Sequence, residues 1–232
     1  MSPIEDPAKS RGEHPTKMSR PIRLAGSKLG SRAHVCAFFN RPDEQYEVLI
    51  PFIKDGLELG EKAIHTIDPK RRDEHLRRLA SAGIDIEAMR RNGQFELRDW
   101  DNTHLRDGGF NLSNTLALFQ QIVKQAKQNG FPLVRFVTHM EWALETAMDV
   151  NDLLEYEAKA NEIWIHRDGP VNPVICTYDL SRFSGDLVVD VMRTHPMVIV
   201  GGILQENPFF VDPGEFLARL NERPSSRLKR VG

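Results

Sequence analysis

The feature that most constrains the fold is an alternation of short apolar runs with longer amphipathic segments, which extends from Ala33 to Leu220. The apolar runs are bounded by turn residues and are short, as is typical of buried strands. The segments between them repeat apolar residues at helical spacing. Strands that alternate with helices favour a parallel sheet covered on both faces. We therefore predict one three-layer α/β/α domain with a mostly parallel sheet of six or seven strands.

The individual elements follow from the same patterns. Strands are expected at residues 33–39, 62–67, 94–99, 133–138, 174–178 and 197–200. Helices are expected after the first strand and then at residues 69–79, 86–91, 112–128, 152–166, 186–193 and 213–220. Pro51 lies within the first helix and should kink it or divide it in two. Residues 101–111 are expected to form a polar loop.

The two ends of the chain differ from this alternating region. Residues 1–30 are rich in Pro, Ser, Gly and charged residues and lack periodicity, so we predict a mostly disordered arm, with a fixed point near Ile22–Leu24. Residues 31–221 form the predicted domain. Residues 222–232 are expected to be a flexible basic tail.

Composition excludes several functional classes. With 31 basic and 33 acidic side chains the formal net charge is −2, so no direct binding of nucleic acid is expected. The amino-terminal sequence lacks the apolar core of a secretory signal, and no apolar stretch approaches the ~20 residues that span a bilayer. The two cysteines, Cys36 and Cys176, lie in apolar runs and are expected to be reduced thiols. These features predict a cytoplasmic protein without a membrane partner.

Several segments together carry a family resemblance. They occur in a fixed order at approximately conserved spacing over about residues 22–220, namely His34–Phe39, Phe52–Leu57, Met140–Leu144, Leu154–Ala158, Cys176–Asp179, Arg193–Pro196, Gly201-Gly202 and Glu206–Phe209. Each segment is unspecific by itself, but their joint occurrence resembles the MEDS sensory domain, the methanogen/methylotroph module named after the regulator of dichloromethane metabolism. This resemblance implies an arrangement similar to the RecA/KaiC-like ATPase core and a role as a sensor in bacterial signalling or transcriptional regulation. It implies no particular ligand.

The loop after the first predicted strand lacks the residues that bind nucleotide phosphates. A phosphate-binding loop reads G-x-x-x-x-G-K-[ST], because its backbone amides and its lysine hold the phosphates. Here residues 40–44 are Asn-Arg-Pro-Asp-Glu, with no glycine or lysine, a proline that lacks an N–H, and two acids. A conventional ATP site is therefore not expected.

The carboxyl ends of the predicted strands are the expected ligand site, because open α/β sheets bind ligands there. Polar and aromatic residues near the strands could line such a crevice, as is usual for small-molecule sites. The candidates are His34, Cys36, Phe39, His139, Glu141, Trp142, Tyr178 and His195. Gly201 and Gly202 precede a stretch that contains Glu206 and Asn207, which we expect to act as a lid or an interface. Ligand binding would then shift residues 101–111 or 201–210 and alter contacts with a signalling partner.

Alternatives remain open at this point. Glu141 and His139 could serve as acid and base in an enzyme, although no catalytic residue is predicted. His34, Cys36, His139, Cys176 and His195 could bind zinc or another soft metal, but no C-x-x-C or H-x-x-x-H spacing supports such a site. The cysteines could sense redox state if they were exposed. A ligand-free protein-interaction module is a further alternative, and the chain could form a homodimer.

Overall fold

The computed structural model describes residues 21–146, 148–165 and 171–229. These residues form nine strands and seven α-helices. The strands are β1 (Ile22–Leu24), β2 (Ser27–Leu29), β3 (His34–Phe39), β4 (Lys62–Ile67), β5 (Phe95–Asp99), β6 (Val134–His139), β7 (Val174–Asp179), β8 (Met197–Val200) and β9 (Ile203–Glu206). The helices are α1 (Pro42–Glu58), α2 (Arg72–Ser81), α3 (Ile86–Arg91), α4 (Leu112–Gln128), α5 (Val150–Trp164), α6 (Gly185–Met192) and α7 (Pro213–Leu220).

The main sheet has seven strands in the order β5-β4-β6-β7-β3-β8-β9. Its first six strands are parallel, and β9 pairs antiparallel with β8. Helices cover both faces, which confirms the predicted three-layer α/β/α architecture. Among the described residues, no helix is long and apolar enough to cross a lipid bilayer.

Alternation along the strands separates the molecule into two cores. In β3, Val35, Ala37 and Phe39 face a core formed with α1, α2, α3 and the β1–β2 hairpin. Cys36 and Phe38 face the other core, which α4, α5, α6 and α7 cover. Successive side chains of a strand point to opposite faces, so His34 lies on the second face with Cys36 and Phe38. This alternation determines which polar residues can meet.

Gly56 of α1 permits a buried ion pair next to the sheet. Arg135 of β6 is almost fully buried and donates to Asp55 at 2.9 Å, to the carbonyl of Phe52 at 2.6 Å and to Glu61. A methyl group at Gly56 would overlap the guanidinium group of Arg135. The absence of a side chain at Gly56 therefore leaves the space that the Arg135 guanidinium group occupies.

The structure corrects three expectations about local elements and adds detail to a fourth. Pro51 does not divide α1, which is one helix from Pro42 to Glu58. Residues 22–29 belong to the arm expected to be mostly disordered apart from a fixed point near Ile22–Leu24; they form the β1–β2 hairpin, whose Leu24 is buried. Residues 201–210 are not a lid over the carboxyl ends, since the two glycines form the tight turn between β8 and β9 with φ of +57° and +74°. The predicted loop 101–111 contains two 3-10 turns and buries His104.

Part of the predicted basic tail is hydrogen-bonded to the rest of the domain. Ser226 accepts the backbone N–H of Val150 at 2.8 Å, and the N–H of Leu228 reaches the carbonyl of Met148 at 3.0 Å. These bonds hold residues 226–228 against the start of α5. Residues 1–20 of the predicted arm and residues 230–232 of the tail lie outside the described residues.

Candidate functional site

A polar cluster lies at the carboxyl ends of β4, β6 and β7, on the face covered by α1 and α2. We call it the carboxyl-edge cluster, and it comprises Gln45, Tyr46, His65, His75, His139, Glu141 and Thr177, all of which are buried. Its strand residues, His65, His139 and Thr177, all have odd residue numbers, so their side chains point to the face of the sheet that α1 covers. The first turn of α1 supplies Gln45 and Tyr46, and α2 supplies His75.

Two hydrogen-bonded groups make up this cluster. The side-chain amide nitrogen of Gln45 donates to Nε2 of His139 at 2.9 Å and lies 3.4 Å from Oγ1 of Thr177. The Tyr46 hydroxyl lies 2.8 Å from Nδ1 of His75, whose Nε2 lies 2.8 Å from Nδ1 of His65. The rings of His75 and His139 lie 6.0 Å apart between centroids, so the two groups adjoin each other.

The histidines of the cluster are uncharged at neutral pH. Burial, followed by the Arg71 charge, lowers the pKa of His75 to about 3. Burial also lowers the pKa values of His65 and His139 well below the ordinary value of 6.5, and the neighbouring His75 adds to both effects. Because Gln45 donates to Nε2 of His139, the neutral ring carries its proton on Nδ1. That Nδ1 has no hydrogen-bond partner among the described residues.

Glu141 supplies a carboxyl group that can change its protonation state near neutral pH. It lies in the 3-10 turn after β6, and its Oε1 accepts the backbone N–H of Asp179 at 3.1 Å. Burial raises the pKa of Glu141 to about 7, although hydrogen bonds and the positive charges of Arg182 and Arg71 oppose the rise. A carboxyl group with such a pKa can either donate or accept a proton in a complex.

A backbone N–H of the loop after β3 is already hydrogen-bonded to a glutamate side chain. The N–H of Asn40 donates to Oε2 of Glu44 at 3.1 Å. In a phosphate-binding loop such an amide would face the ligand's phosphate. Here a carboxylate of α1 lies in that place.

A second polar cluster lies on the opposite face of the sheet, where α5 packs against the strands. We call it the Glu157 cluster, and it comprises His34, Glu157, Cys176 and His195, of which one ligand atom each lies within 4.8 Å of all the others. His34 begins β3, Cys176 lies within β7, Glu157 projects from α5 and His195 precedes β8. All four side chains are buried.

Glu157 is the centre of this second cluster. Its Oε2 lies 3.3 Å from Nε2 of His34 and 3.4 Å from Nε2 of His195, while Oε1 accepts the hydroxyl of Tyr178. Burial by itself would raise the pKa of Glu157, but the two imidazoles hold it below the usual range of a glutamic acid. Burial and the Glu157 charge raise the pKa of the Cys176 thiol well above its ordinary value.

The prediction of one crevice that collects all the candidate residues is wrong. His139 and Glu141 do lie at the carboxyl edge. His34 begins β3 and His195 precedes β8, so both lie at the amino ends of their strands. They also lie on the opposite face of the sheet. Tyr178 joins them through Glu157.

The remaining candidates lie elsewhere. Trp142 is a core residue stacked between His104 and Phe110, at centroid distances of 4.4 and 5.1 Å. Cys36 and Phe39 are buried on opposite faces of β3. Glu206 pairs with Met197 at the amino end of β8, and Asn207 donates to the carbonyl of His195 at 2.7 Å.

Sequence reasoning missed Gln45, His65, His75 and Glu157. Two signals for them were present in the sequence. His65 lies within an apolar strand, and Glu157 is spaced three and four residues from Leu154 and Leu153, on the apolar stripe of α5. A polar residue within such a stripe is buried and needs partners.

The family resemblance is confirmed by the match to a family model and by a sequence relative. The transcriptional repressor DcmR of Methylorubrum extorquens (strain DSM 6343 / CIP 106787 / DM4) is 23% identical over 179 residues, which are 77% of this chain and 64% of the repressor. A KaiC-like protein of Pyrococcus horikoshii OT3 is similar in structure, with a TM-score of 0.47, 18% identity and coverage of 72% of this chain and 69% of that one. The model of the MEDS family, the MEthanogen/methylotroph, DcmR Sensory domain, matches residues 33–196. The chain therefore belongs to the MEDS family of sensory domains.

Proposed function

We propose that this sensory domain binds a small, uncharged polar molecule at the carboxyl-edge cluster and passes the signal to a regulatory partner. One observation carries the proposal. A buried neutral imidazole with an unused N–H, His139, lies two residues from a buried carboxyl group with a pKa of about 7, Glu141. A ligand with an acceptor for the first and a donor for the second would satisfy both groups.

The surroundings of the cluster favour such a ligand over a nucleotide. The N–H of Asn40 is bonded to Glu44, and further acids, Glu141 and Asp179, lie at the same edge. Phosphates would meet the carboxylate that already occupies the Asn40 N–H, and the acids at this edge supply no positive charge to hold them. A groove of about 410 Å³ between α1 and α2 is lined by Tyr46 and Arg78, so the Tyr46–His75–His65 chain connects the surface with the interior.

Regulation is the proposed output. The relative DcmR is named a transcriptional repressor, and this chain spans 64% of its length. The partner of this chain is proposed to be a signalling protein, with a second copy of the chain as the alternative. Light scattering of the purified chain, with and without ligand, would show which of the two forms.

The binding proposal is tested by thermal shift with a panel of alcohols, amides and weak acids, next to Mg·ATP and inorganic phosphate. A ligand at 100 times its Kd stabilises the folded chain by about 2.7 kcal/mol. We expect such a shift from a member of the organic panel, and its loss in His139→Gln and Glu141→Gln. His104→Gln is the matched control, because His104 is also buried and has a pKa lowered to about 3 but lies in the other core.

Two results would contradict the proposal. One is a stabilising ligand whose effect is unchanged in both carboxyl-edge variants. The other is tight binding of Mg·ATP with steady release of phosphate by the wild-type chain, which would indicate an ATPase.

A further inference from the structure

The Glu157 cluster presents four metal-binding atoms to one point in the interior. They come from four different segments, so no local sequence motif brings them together. They are Nε2 of His34, Oε2 of Glu157, Sγ of Cys176 and Nε2 of His195. We propose that these four residues bind one divalent transition-metal ion, with zinc as the expected metal.

The hydrogen bonds around His34 determine where its proton lies. The amide nitrogen of Asn161 lies 2.8 Å from the carbonyl of Thr194 and 3.1 Å from that of Ala158, which orients Oδ1 of Asn161 towards the ring. Nδ1 of His34 donates to this oxygen at 3.0 Å. In the neutral ring Nε2 therefore carries a lone pair, and this lone pair faces the cluster.

His195 is oriented in the same way. Its Nδ1 lies 3.0 Å from the carbonyl of Val191, an acceptor only, so this nitrogen carries the proton. Its Nε2 has no hydrogen-bond partner among the described residues and faces Oε2 of Glu157. Metal-bound histidines typically donate their second N–H to a carbonyl or carboxylate oxygen, and both rings have that arrangement.

Glu157 is the third residue that directs a metal-binding atom to this point. The Tyr178 hydroxyl satisfies Oε1, while Oε2 faces both imidazole nitrogens. Without a proton or a cation between them, these atoms would repel one another in a low-dielectric interior. A cation at their centre turns the same contacts into coordination bonds.

The distances fit a tetrahedral ion. Bonds of about 2.0–2.1 Å to nitrogen or oxygen and about 2.3 Å to sulfur place the ligand atoms of a tetrahedral zinc about 3.3–3.6 Å apart. The observed separations from His34 Nε2 are 3.3 Å to Glu157 and 3.6 Å to Cys176. Glu157 Oε2 lies 3.4 Å from His195 and 3.9 Å from Cys176. Of these four distances only the last would have to shorten, and the His34–His195 and Cys176–His195 pairs lie within 4.8 Å.

The donor set indicates the kind of metal and its role. Imidazole together with thiolate suits zinc better than magnesium or calcium, which prefer oxygen ligands. Four protein ligands, all buried, form the closed coordination typical of structural sites. The ion would fasten α5 to β3, β7 and the loop before β8. This proposal is independent of the carboxyl-edge ligand, which lies on the other face of the sheet.

The test measures metal in the full chain. Protein is produced in zinc-supplemented medium and its metal content determined by mass spectrometry, and stripped protein is then titrated with Co²⁺. We expect about one zinc per chain and a Co²⁺ spectrum with a thiolate charge-transfer band. Cys176→Ser should abolish that band, and His34→Ala and His195→Ala should lower zinc content to near background.

Cys36→Ser is the matched control. Cys36 is the register partner of Cys176 on the neighbouring strand and faces the same core, but its thiol contacts the carbonyl of Met197 at 3.6 Å. It should leave zinc content and the Co²⁺ spectrum unchanged. If the alanine variants fail to fold, the proposal is tested by the metal content of the wild-type chain and by the comparison of Cys176→Ser with Cys36→Ser.

Two outcomes would overturn the proposal. The first is a folded wild-type chain that binds neither Zn²⁺ nor Co²⁺ after reconstitution, which would leave a buried proton network only. The second is a charge-transfer band that survives in Cys176→Ser.

Discussion

The carboxyl-edge cluster and the Glu157 cluster use the same residue types on opposite faces of one sheet, with opposite electrostatic results. At the carboxyl edge, imidazoles bond to Gln45, to Tyr46 and to one another, and the acid Glu141 has a pKa raised by burial to about 7. Below α5, two imidazoles face the acid itself, and the pKa of Glu157 is held below its usual range despite complete burial.

The difference shows that the immediate partners of a buried acid decide its charge. Burial disfavours ionisation of Glu141 and Glu157 alike. Glu157 accepts the Tyr178 hydroxyl and lies within 3.4 Å of both rings, whereas Glu141 accepts a backbone N–H and its neighbouring arginines act from farther away. The first arrangement suits a permanently bound cation, and the second suits a reversible polar ligand.

The largest expected effect comes from removal of the acid below α5. Glu157→Ala leaves the Tyr178 hydroxyl and two imidazoles without their partner in a dry interior, and loss of one member of a buried pair costs about 3–5 kcal/mol. We therefore expect a decrease of this size in the free energy of unfolding, measured by urea denaturation with chelator present. Glu141→Gln should cost less than about 1 kcal/mol at pH 6, where the wild-type group is largely protonated. Equal losses of unfolding free energy in the two variants would contradict the conclusion that the two acids differ in charge.

An intermediate effect concerns the pH dependence of stability at the carboxyl edge. His75 faces Tyr46, His65, His139 and Arg71, and its pKa is about 3 in the folded chain against 6.5 ordinarily. Below pH 6.5 the unfolded chain therefore binds a proton that the folded chain does not, so stability falls as pH drops towards 3. The slope is about 1.4 kcal/mol per pH unit for this histidine. Urea denaturation between pH 4.5 and 6.5 should show that slope reduced by this amount in His75→Gln.

Glu141 should affect the same curve with the opposite sign. Its folded pKa of about 7 lies above its ordinary value of 4.5, so the folded chain keeps a proton that the unfolded chain has lost. That contribution to stability is complete below pH 4.5 and is lost as pH rises towards 7. Glu141→Gln should therefore steepen the rise of stability with pH, where His75→Gln flattens it. The same direction of change in both variants would contradict the assigned protonation states.

The sequence predicted the elements well and the sites only in part. Hydrophobic periodicity located α4 and α7 and all six parallel strands, because periodicity records local burial. Sheet order depends on tertiary pairing, so the meeting of His34 with His195 and Glu157 could not be derived. The position of His34 at the start of an apolar run did indicate the amino edge of the sheet. The prediction that placed His34 in one crevice with His139 did not use this information. The four proposed metal ligands lie far apart in sequence, so motif spacing did not group them; residue type alone made His34, Cys176 and His195 candidates, and Glu157 was missed.

The smallest expected effect concerns Glu206, a predicted ligand residue that the structure places in neither cluster. It is exposed at the end of β9 and lines a groove of about 390 Å³ with Ser27 and Arg32, at the amino edge of the sheet. An exposed side chain without a buried partner can be replaced at a cost within about 0.5 kcal/mol. Glu206→Gln should therefore leave the free energy of unfolding, the zinc content and the ligand-induced thermal shift unchanged. Because the variant keeps the shape of the side chain and removes only its charge, a changed zinc content or thermal shift would show that the amino-edge groove belongs to one of the two sites, and the division of the molecule into two polar regions would then be wrong.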